Sequence, residues 1–400
     1  MAAKSEAHIS VWPYKGLSCI FYVKKVNQKI LNIITYMRRN PDLLASAVFA
    51  AVTGCFVPFS LDELLGSINI PLLLLLFCLM SIVAGMRESG LFLLLYRRLF
   101  SGTVSSRRLG RFFIFSCFFS SMLITNDVSL IVFVPLAIEV MTAVRCVRNM
   151  IPVVVWQTVA ANLGSMLTPV GNPQNLFIYA HYGMGLVDFL AAVAPVTAMG
   201  GFAIYLATCM LDDRKVALPA ADQATLPRKR VLILLCLFAV CIADVLRIVP
   251  FWLMALIVVP IISCMRPRLF CAVDYKLLML FLFLFIGVGN LTRMPEVSRM
   301  ATELLMGHEF IVPLVLCQFI SNVPAAVMLA PYTNEAADLL LGVNIGGLGT
   351  IIASMASVIS FKAYSGARHS IPAAYLRSFT AANLGLLFIL LLFYEIVLVH

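Results

Sequence analysis

The sequence predicts an all-α protein that crosses a membrane several times, and three observations lead to that fold class. Of its 400 residues, 62% are hydrophobic and only 12% are charged, whereas an ordinary soluble domain has roughly a quarter charged residues. Apolar runs long enough to cross a hydrocarbon core of about 30 Å recur along the whole chain. These runs are continuous rather than alternating, which favours helices over a transmembrane β-barrel.

Composition also argues against several classes of function. The formal net charge of +10 is typical of basic cytoplasmic loops in a membrane protein, so we expect no nucleic-acid partner. The 11 Cys lie mostly inside apolar segments without a CxxC pair, which indicates packing rather than a disulfide or metal site. No nucleophile and base occur together, and the longest inter-helix loop, residues 212–230, is too short for a catalytic domain. We therefore expect neither an enzyme nor a cofactor.

The chain divides into a short N-terminal segment and a series of apolar segments. Residues 1–41 mix basic and apolar side chains, a pattern that predicts a cytoplasmic amphipathic helix on the membrane surface. About nine full spans are predicted, at residues 42–58, 68–86, 152–180, 188–211, 231–248, 251–265, 275–291, 338–363 and 378–398. Two other apolar stretches, residues 109–141 and 308–332, are interrupted near their centres by polar residues.

Each interrupted stretch could form two spans or one re-entrant hairpin. With a cytoplasmic N-terminus, all Lys and Arg fall on the cytoplasmic side except Arg247, Arg293 and Arg299. This excess follows the positive-inside rule and predicts the orientation. It does not distinguish a hairpin from a pair of spans at residues 109–141, because both return the chain to the same side.

An internal repeat favours the hairpins. Asn126 and Pro135 align with Asn322 and Pro331 at a spacing of 196 residues, and the segment 162–165 aligns with 344–347 at a spacing of 182 residues. Thr168 and Thr350 share the second spacing, and Arg87 and Arg293 follow corresponding helices. An odd number of spans separates the halves, residues 42–211 and 231–400, which the cytoplasmic linker 212–230 joins. The sequence therefore predicts an inverted repeat with binding sites at its interface.

The segment ANLGSMLTPVGNPQN (161–175) carries the strongest local signal in the first half. Its prolines and glycines break the helical hydrogen-bond ladder, so residues 152–180 are predicted to form a broken helix. Free carbonyls and polar side chains there are suitable ligands for a small cation, and the second half-helix can face an anion with its N-terminus. The alternative is a kinked helix whose amides bond to neighbouring helices.

Asp127 is the one carboxylate in the first hairpin tip. An ionisable group inside a membrane protein suggests a function, here binding a cation or a proton. The structural alternative is that Asp127 caps the returning half-helix. In the second half the tip is QFISNVPAAV (318–327), and NIGGLGTIIASMAS (344–357) predicts a broken helix over residues 338–363, or a tight crossing made by small residues.

These segments, together with SSMLITNDVSLIVFVP (120–135), resemble the ion transporter superfamily of arsenite permeases, sodium/proton antiporters and citrate and dicarboxylate carriers. They are most similar to its citrate-transporter-like, anion permease branch. The resemblance covers about residues 42–398. It implies a homodimer in which a mobile transport domain carries substrate past a fixed scaffold domain, in an elevator-like motion.

The tips depart from those of the dicarboxylate carriers, which read Ser-Asn-Thr in both halves. Here they read Thr125-Asn126-Asp127 and Ser321-Asn322-Val323, and Thr-Asn-Asp is more similar to the arsenite permeases. The sequence places no Lys or Arg within either tip or break, so coupling ions or half-helix N-termini would have to attract an anion.

The expected function is secondary transport of a small anion, a carboxylate such as citrate or an oxyanion, coupled to Na⁺ or H⁺. An arsenite or antimonite efflux permease, or a sodium/proton antiporter that uses Asp127, is the alternative. The expected partners are a small-molecule or ion substrate and the lipid of a bacterial plasma membrane. The predicted substrate site comprises Thr125, Asn126, Asn172, Pro173, Ser321, Asn322, Gly349 and Thr350. The predicted cation or proton site, the only metal expected being Na⁺, comprises Asn126, Asp127, Thr168, Gly171, Asn172, Asn175, Asn322 and Ser354.

Overall fold

The computed structural model of the chain describes residues 40–90, 102–217, 227–368 and 370–398. The predicted surface helix before residue 40, and residues 218–226 of the predicted linker, lie outside the described residues. Within them the protein is mostly helical, as expected. Five helices are long and apolar enough to cross a membrane, namely Ile70–Glu88, Asn126–Ala143, Leu186–Cys209, Tyr275–Thr292 and Pro372–Val397.

The described residues of the first half form eight α-helices. They are α1 (Pro41–Gly54), α2 (Leu61–Ser67), α3 (Ile70–Glu88), α4 (Ser106–Ile124), α5 (Asn126–Ala143), α6 (Met150–Met166), α7 (Pro173–His181) and α8 (Leu186–Cys209). A small antiparallel ribbon pairs β1 (Thr103–Ser105) with β2 (Lys215–Ala217). Composition and periodicity did not predict this ribbon, because strands of three residues are too short to show a pattern.

In the second half, the part of the chain that the structure describes forms nine more α-helices. They are α9 (Arg228–Val245), α10 (Phe251–Met265), α11 (Tyr275–Thr292), α12 (Pro295–Leu305), α13 (Ile311–Ile320), α14 (Asn322–Leu329), α15 (Ala336–Gly346), α16 (Met355–Ser365) and α17 (Pro372–Phe393). Both predicted broken helices are interrupted in the structure, between α6 and α7 and between α15 and α16. The arms of the first interrupted stretch have 19 and 18 residues, whereas those of the second have 10 and 8.

Local chemistry explains where several helices begin. Asn69 caps α3 by accepting a hydrogen bond from the N–H of Leu72 at 3.1 Å, and Asp274 caps α11 in the same way through Leu277 at 3.1 Å. Proline in the first turn of α3 and α7 sacrifices no helical hydrogen bond. Helix α12 also has a proline in its first turn, which favours a helix start directly after α11.

Two groups of helices meet at the functional region. In the first, α3 packs against α9 and α10, and α11 packs against α1 and more lightly against α3. In the second, α4 packs closely on α5 and α6, α16 packs on α5, and α13 packs on α15. Helix α7 touches α3 of the first group, and α14 touches α11. The broken helices and the two tips belong to the second group, so its contacts with α3 and α11 form the walls of the cavities described next.

Candidate substrate and cation site

The two predicted tips have the same unusual backbone conformation. Thr125, between α4 and α5, has φ 71° and ψ 150°, and Ser321, between α13 and α14, has φ 75° and ψ 158°. Side-chain-bearing residues rarely adopt this region, because the side chain crowds the backbone. Each tip is thus a single residue that turns the chain directly from one helix into the next.

The first broken helix is held open by two asparagines. Between α6 and α7 the backbone is extended at Thr168 and at Asn172. Asn172 caps α7 by accepting a hydrogen bond from the N–H of Asn175 at 3.0 Å. The amide Nδ2 of Asn175 donates to the carbonyl oxygens of Ser165, Met166 and Thr168 at 3.1–3.2 Å. Free carbonyls at the break were predicted, but this amide already binds these three.

The second broken helix is held open by Gln318, which the sequence analysis did not assign to the site. Its Nε2 donates to the carbonyl oxygens of Gly346 at 2.7 Å and Leu348 at 3.0 Å, and its Oε1 accepts from the N–H of Thr350 at 2.9 Å. Gly349 is required beside it, since a Cβ there would lie 2.4 Å from Gln318 Oε1 and φ is +107°. The Thr350 backbone therefore binds this side chain, and Gly349 leaves the space for it.

Each break is also tied to the tip of its own half. The hydroxyl of Thr168 donates to the carbonyl oxygen of Met122, and the hydroxyl of Thr350 donates to that of Gln318 at 3.1 Å. Met122 and Gln318 each precede their tip residue by three positions. Equivalent threonines thus make equivalent contacts in the two halves, which positions each tip against its broken helix.

Asparagines connect the halves at the centre of the molecule. Asn162 Oδ1 accepts from Asn126 Nδ2 at 3.2 Å and from the Ser354 hydroxyl at 3.1 Å. Asn344 Oδ1 accepts from Asn172 Nδ2 at 3.2 Å. The residue that begins each second half-helix therefore donates to the buried asparagine of the opposite half. Among the predicted cation residues, Asn126, Asn172 and Ser354 meet in this cluster.

Two buried atoms at the first tip have no hydrogen-bond partner. They are the acceptor Asp127 Oδ1 and the donor Asn162 Nδ2. Asp127 follows Asn126 in the chain, and Asn162 is hydrogen-bonded to Asn126. Buried polar groups in native structures are almost always satisfied by protein, water or ligand. Neither oxygen of Asp127 caps α5, for its N-cap is Thr125 and makes no side-chain bond. Each of the two atoms can therefore accept a water molecule or a ligand as its partner.

The first cavity, of about 120 Å³, opens at this tip. Its wall includes four predicted site residues, Thr125, Asp127, Asn172 and Pro173. Arg87 and Asp274 line it as well, from the last turn of α3 and the start of α11. No Lys or Arg was expected within either tip or break, and Arg87 belongs to neither. Helix α3 runs along the cavity and brings Arg87, in its last turn, into the wall.

The second tip borders neither this cavity nor the one described next. The backbone N–H of Asn322 donates to the carbonyl oxygen of Ala353 at 3.0 Å, and the Ser321 hydroxyl points to the same oxygen at 3.4 Å. Gly171 is equally packed, because a Cβ there would lie 2.2 Å from the Ser165 carbonyl oxygen. Predicted residues of the two halves thus share one hydrogen-bonded region, but only those of the first half line the first cavity.

A second, wider cavity of about 740 Å³ lies at the opposite ends of the same two helices. The first cavity is lined by the C-terminal part of α3 and the N-terminal end of α11, and the second by the start of α3 and the C-terminal part of α11. On α7, Leu176 faces the first cavity and Phe177 the second. Phe177 packs on Phe285 of α11 with ring centroids 5.8 Å apart, and both rings line the second cavity.

The asparagine cluster makes a stability prediction. Replacing Asn344 by Ala removes the acceptor of Asn172 and the donor to Asn175, a bond of 2.6 Å, and leaves both partners buried. We expect a loss of about 1–2 kcal/mol, measured as a lower melting temperature in detergent. Asn383→Ala is the matched control, since the amide nitrogen of this equally buried residue donates to Phe379 of its own helix. Equal shifts for both variants would contradict the bridging role.

Comparisons with known proteins agree with this architecture. The chain matches the model of the citrate transporter family over residues 32–360. It is 31% identical to an uncharacterized transporter of Methanocaldococcus jannaschii over 65% of this chain and 72% of that protein. It is 28% identical to the inner membrane protein YbiR of Escherichia coli over 77% and 83%. It is 30% identical to the silicon efflux transporter LSI3 of Oryza sativa over 43% and 35%.

Proposed function

This chain belongs to the citrate transporter family and is a multi-pass membrane transporter rather than an enzyme, and we propose that it moves a small anion by secondary active transport. The anion is a carboxylate such as citrate or a dicarboxylate, or an oxyanion. The driving ion is Na⁺ or H⁺, bound beside the substrate at the first tip.

The buried, unpartnered oxygen of Asp127 is the observation that carries this proposal. A carboxylate away from water needs a cation, a proton or a hydrogen-bond donor, and among the described residues Oδ1 has none of these as a partner. The amide of Asn126 and the extended backbone at Asn172 lie in the same region, and amide oxygens are ligands that Na⁺ accepts. A bound cation or proton would also neutralise the tip, so that an anion can occupy the cavity next to it.

The finer architecture that we propose is an inverted repeat with two re-entrant hairpins. Thr125 and Ser321 share one backbone conformation, Thr168 and Thr350 make equivalent contacts, and each half donates from its break to the other's buried asparagine. These correspondences follow the two spacings in the sequence. They support a site at the midplane formed by discontinuous helices.

We further propose an elevator motion within a homodimer. The helices that carry the tips and breaks would move as one body along α3 and α11, which reach a cavity at each end. Helix α7 supports this motion, because its Leu176 faces the first cavity and its Phe177 the second. The distribution of basic residues supports a cytoplasmic N-terminus, and the membrane that we propose is a bacterial plasma membrane.

Flux into proteoliposomes tests the proposal. The purified protein would be supplied with citrate, succinate, phosphate, sulfate or arsenite, each under a Na⁺ gradient, a pH gradient, both or neither. We expect accumulation of a carboxylate or oxyanion under one of the two gradients and none without a gradient. Equal flux with and without the gradients would contradict ion coupling. Flux of arsenite and of no other tested solute would contradict the assignment of a carboxylate or oxyanion as the substrate.

A sodium/proton antiporter is the second candidate, and the acidic first tip favours it. Asp127 would then exchange the two ions and carry no organic substrate. Adding Na⁺ to the protein in weakly buffered solution without substrate separates the candidates. In proteoliposomes, an antiporter would exchange external Na⁺ for internal H⁺ without any substrate, so that the lightly buffered medium becomes more acidic and the vesicle interior more alkaline. A coupled anion carrier would need the anion for net flux.

A further inference from the structure

The guanidinium of Arg87 is free to bind an anion in the first cavity. Arg87 lines that cavity together with Thr125 and Asp127. No carboxylate of the described residues forms an ion pair with it, and the neighbouring Glu88 is instead bound by Arg230 at 3.2 Å and Arg266 at 3.3 Å. An arginine presents a planar fork of donors that fits a carboxylate or an oxyanion. At this cavity the positive charge of Arg87 is therefore not paired with any carboxylate of the described residues.

Arg293 occupies the corresponding place in the second cavity, but it is engaged. It lies just after α11, as Arg87 lies at the end of α3, and it lines the second cavity. Its guanidinium forms an ion pair with Glu63 and donates to the carbonyl oxygen of Pro58 at 2.8 Å. Glu63 lines the same cavity. An anion that arrives there would have to compete with a carboxylate already in place.

The two arginines mark opposite ends of one path. Helix α3 has 19 residues and is therefore about 28 Å long, with Arg87 at one end and the second cavity at the other. Helix α11 runs between the same cavities and leads to Arg293. Arg87 belongs to α3 and Arg293 directly follows α11. These helices carry neither a tip nor a break, so both arginines stay in place if the tips move.

Charge explains why the first cavity needs a receptor. Its wall carries Asp127 and Asp274 against the single arginine, so without a bound cation the field there is unfavourable to anions. A cation at Asp127 would leave Asp274 and Arg87 in balance. A substrate with several negatively charged oxygens would then gain a direct partner in Arg87. An uncharged solute that carries only hydroxyl groups would gain little from this arginine.

From these observations we propose that Arg87 and Arg293 are fixed anion receptors at the two ends of the transport path, with Arg87 available and Arg293 held by Glu63 in this conformation. The proposal rests on the proposed anion transport and deepens it by assigning the substrate to polyanions such as citrate. It also assigns Glu63 as an internal competitor at the second cavity.

The test measures the KM for citrate at each membrane face, with right-side-out and inside-out vesicles. Arg87→Gln is expected to raise KM by about 10- to 100-fold at one face only, and Arg87→Lys to raise it less. Arg293→Gln is expected to raise KM at the other face, and Glu63→Gln to lower it there. Arg299→Gln is the matched control, since this exposed arginine pairs with Glu296 and Glu303 and lines neither cavity.

The outcomes separate the receptor assignment from the function itself. Folded yield and a normal elution profile would first show that each variant is intact. If the wild type moves citrate and Arg87→Gln behaves as Arg299→Gln does, the receptor assignment is overturned while the proposed function stands. The same holds if Arg87→Gln raises KM equally at both faces. If the wild type moves no anion under any gradient, the proposed function fails and the receptor assignment fails with it.

Discussion

Asp127→Asn is expected to abolish ion-coupled transport while leaving the protein folded. The substitution keeps the shape of the side chain and removes the charge whose Oδ1 is buried without a partner. Because an unpaired buried carboxylate is costly, the variant should be at least as stable as the wild type in the absence of ions. We expect flux in proteoliposomes to fall by about 100-fold or more, the effect of about 2.7 kcal/mol, and stabilisation by Na⁺ to disappear.

Asp274→Asn provides the matched control for this prediction. Asp274 lines the same cavity but is exposed and caps α11 through the N–H of Leu277 at 3.1 Å. Asparagine is an equally good cap, so this variant removes a charge from the same wall without disturbing the helix. A small change in flux is expected. Normal, ion-dependent flux in Asp127→Asn would show that the first tip does not bind the driving ion.

Gly164→Ala is expected to prevent α4 and α6 from packing. A Cβ at residue 164 would lie 2.0 Å from the carbonyl oxygen of Phe118, which belongs to the backbone of α4 and cannot rotate away. The helices would have to separate, moving the first tip and Asn162 apart. We expect a cost of about 3 kcal/mol or more, seen as loss of the monodisperse peak in size-exclusion chromatography and a much lower melting temperature.

Gly385→Ala tests whether this effect is steric. Gly385 also lies within a membrane helix, α17, but a Cβ there would meet no atom within 4 Å. The substitution should leave the melting temperature within a few degrees of the wild type, since alanine is the better helix former. A similar loss for both glycines would instead indicate a general intolerance of the fold, and would contradict the close crossing at Gly164.

Much of the fold follows from chemistry that acts locally. Apolar runs predicted the helices, and prolines and glycines predicted both breaks, because a missing N–H or a missing Cβ acts on the backbone where it occurs. Spans and helices agree closely at residues 251–265, where the structure has Phe251–Met265. About nine spans were predicted, whereas five helices within the described ranges are long and apolar enough to cross a membrane.

The candidate site was harder to complete, because it depends on contacts between distant residues. Thr125, Asp127, Asn172 and Pro173 were predicted and share one cavity wall. Gln318 was missed, since a glutamine near a tip gives no sign that its amide will reach a break 28 residues later. Asn162 and Asn344 were noticed as repeated residues, but the bonds that cross between halves, 172 and 192 residues apart, have no periodicity to reveal them.

The backbone at the two tips also sets stability against activity. Thr125 and Ser321 occupy a region that is essentially reserved for glycine, at a cost of about 1–3 kcal/mol each. Glycine at either position would release that cost, and it would also remove a hydroxyl, which at Thr125 borders the first cavity. Selection for heat resistance would therefore favour glycine at position 125, where selection for transport retains threonine, and the more heat-resistant variants at this position would be poorer carriers.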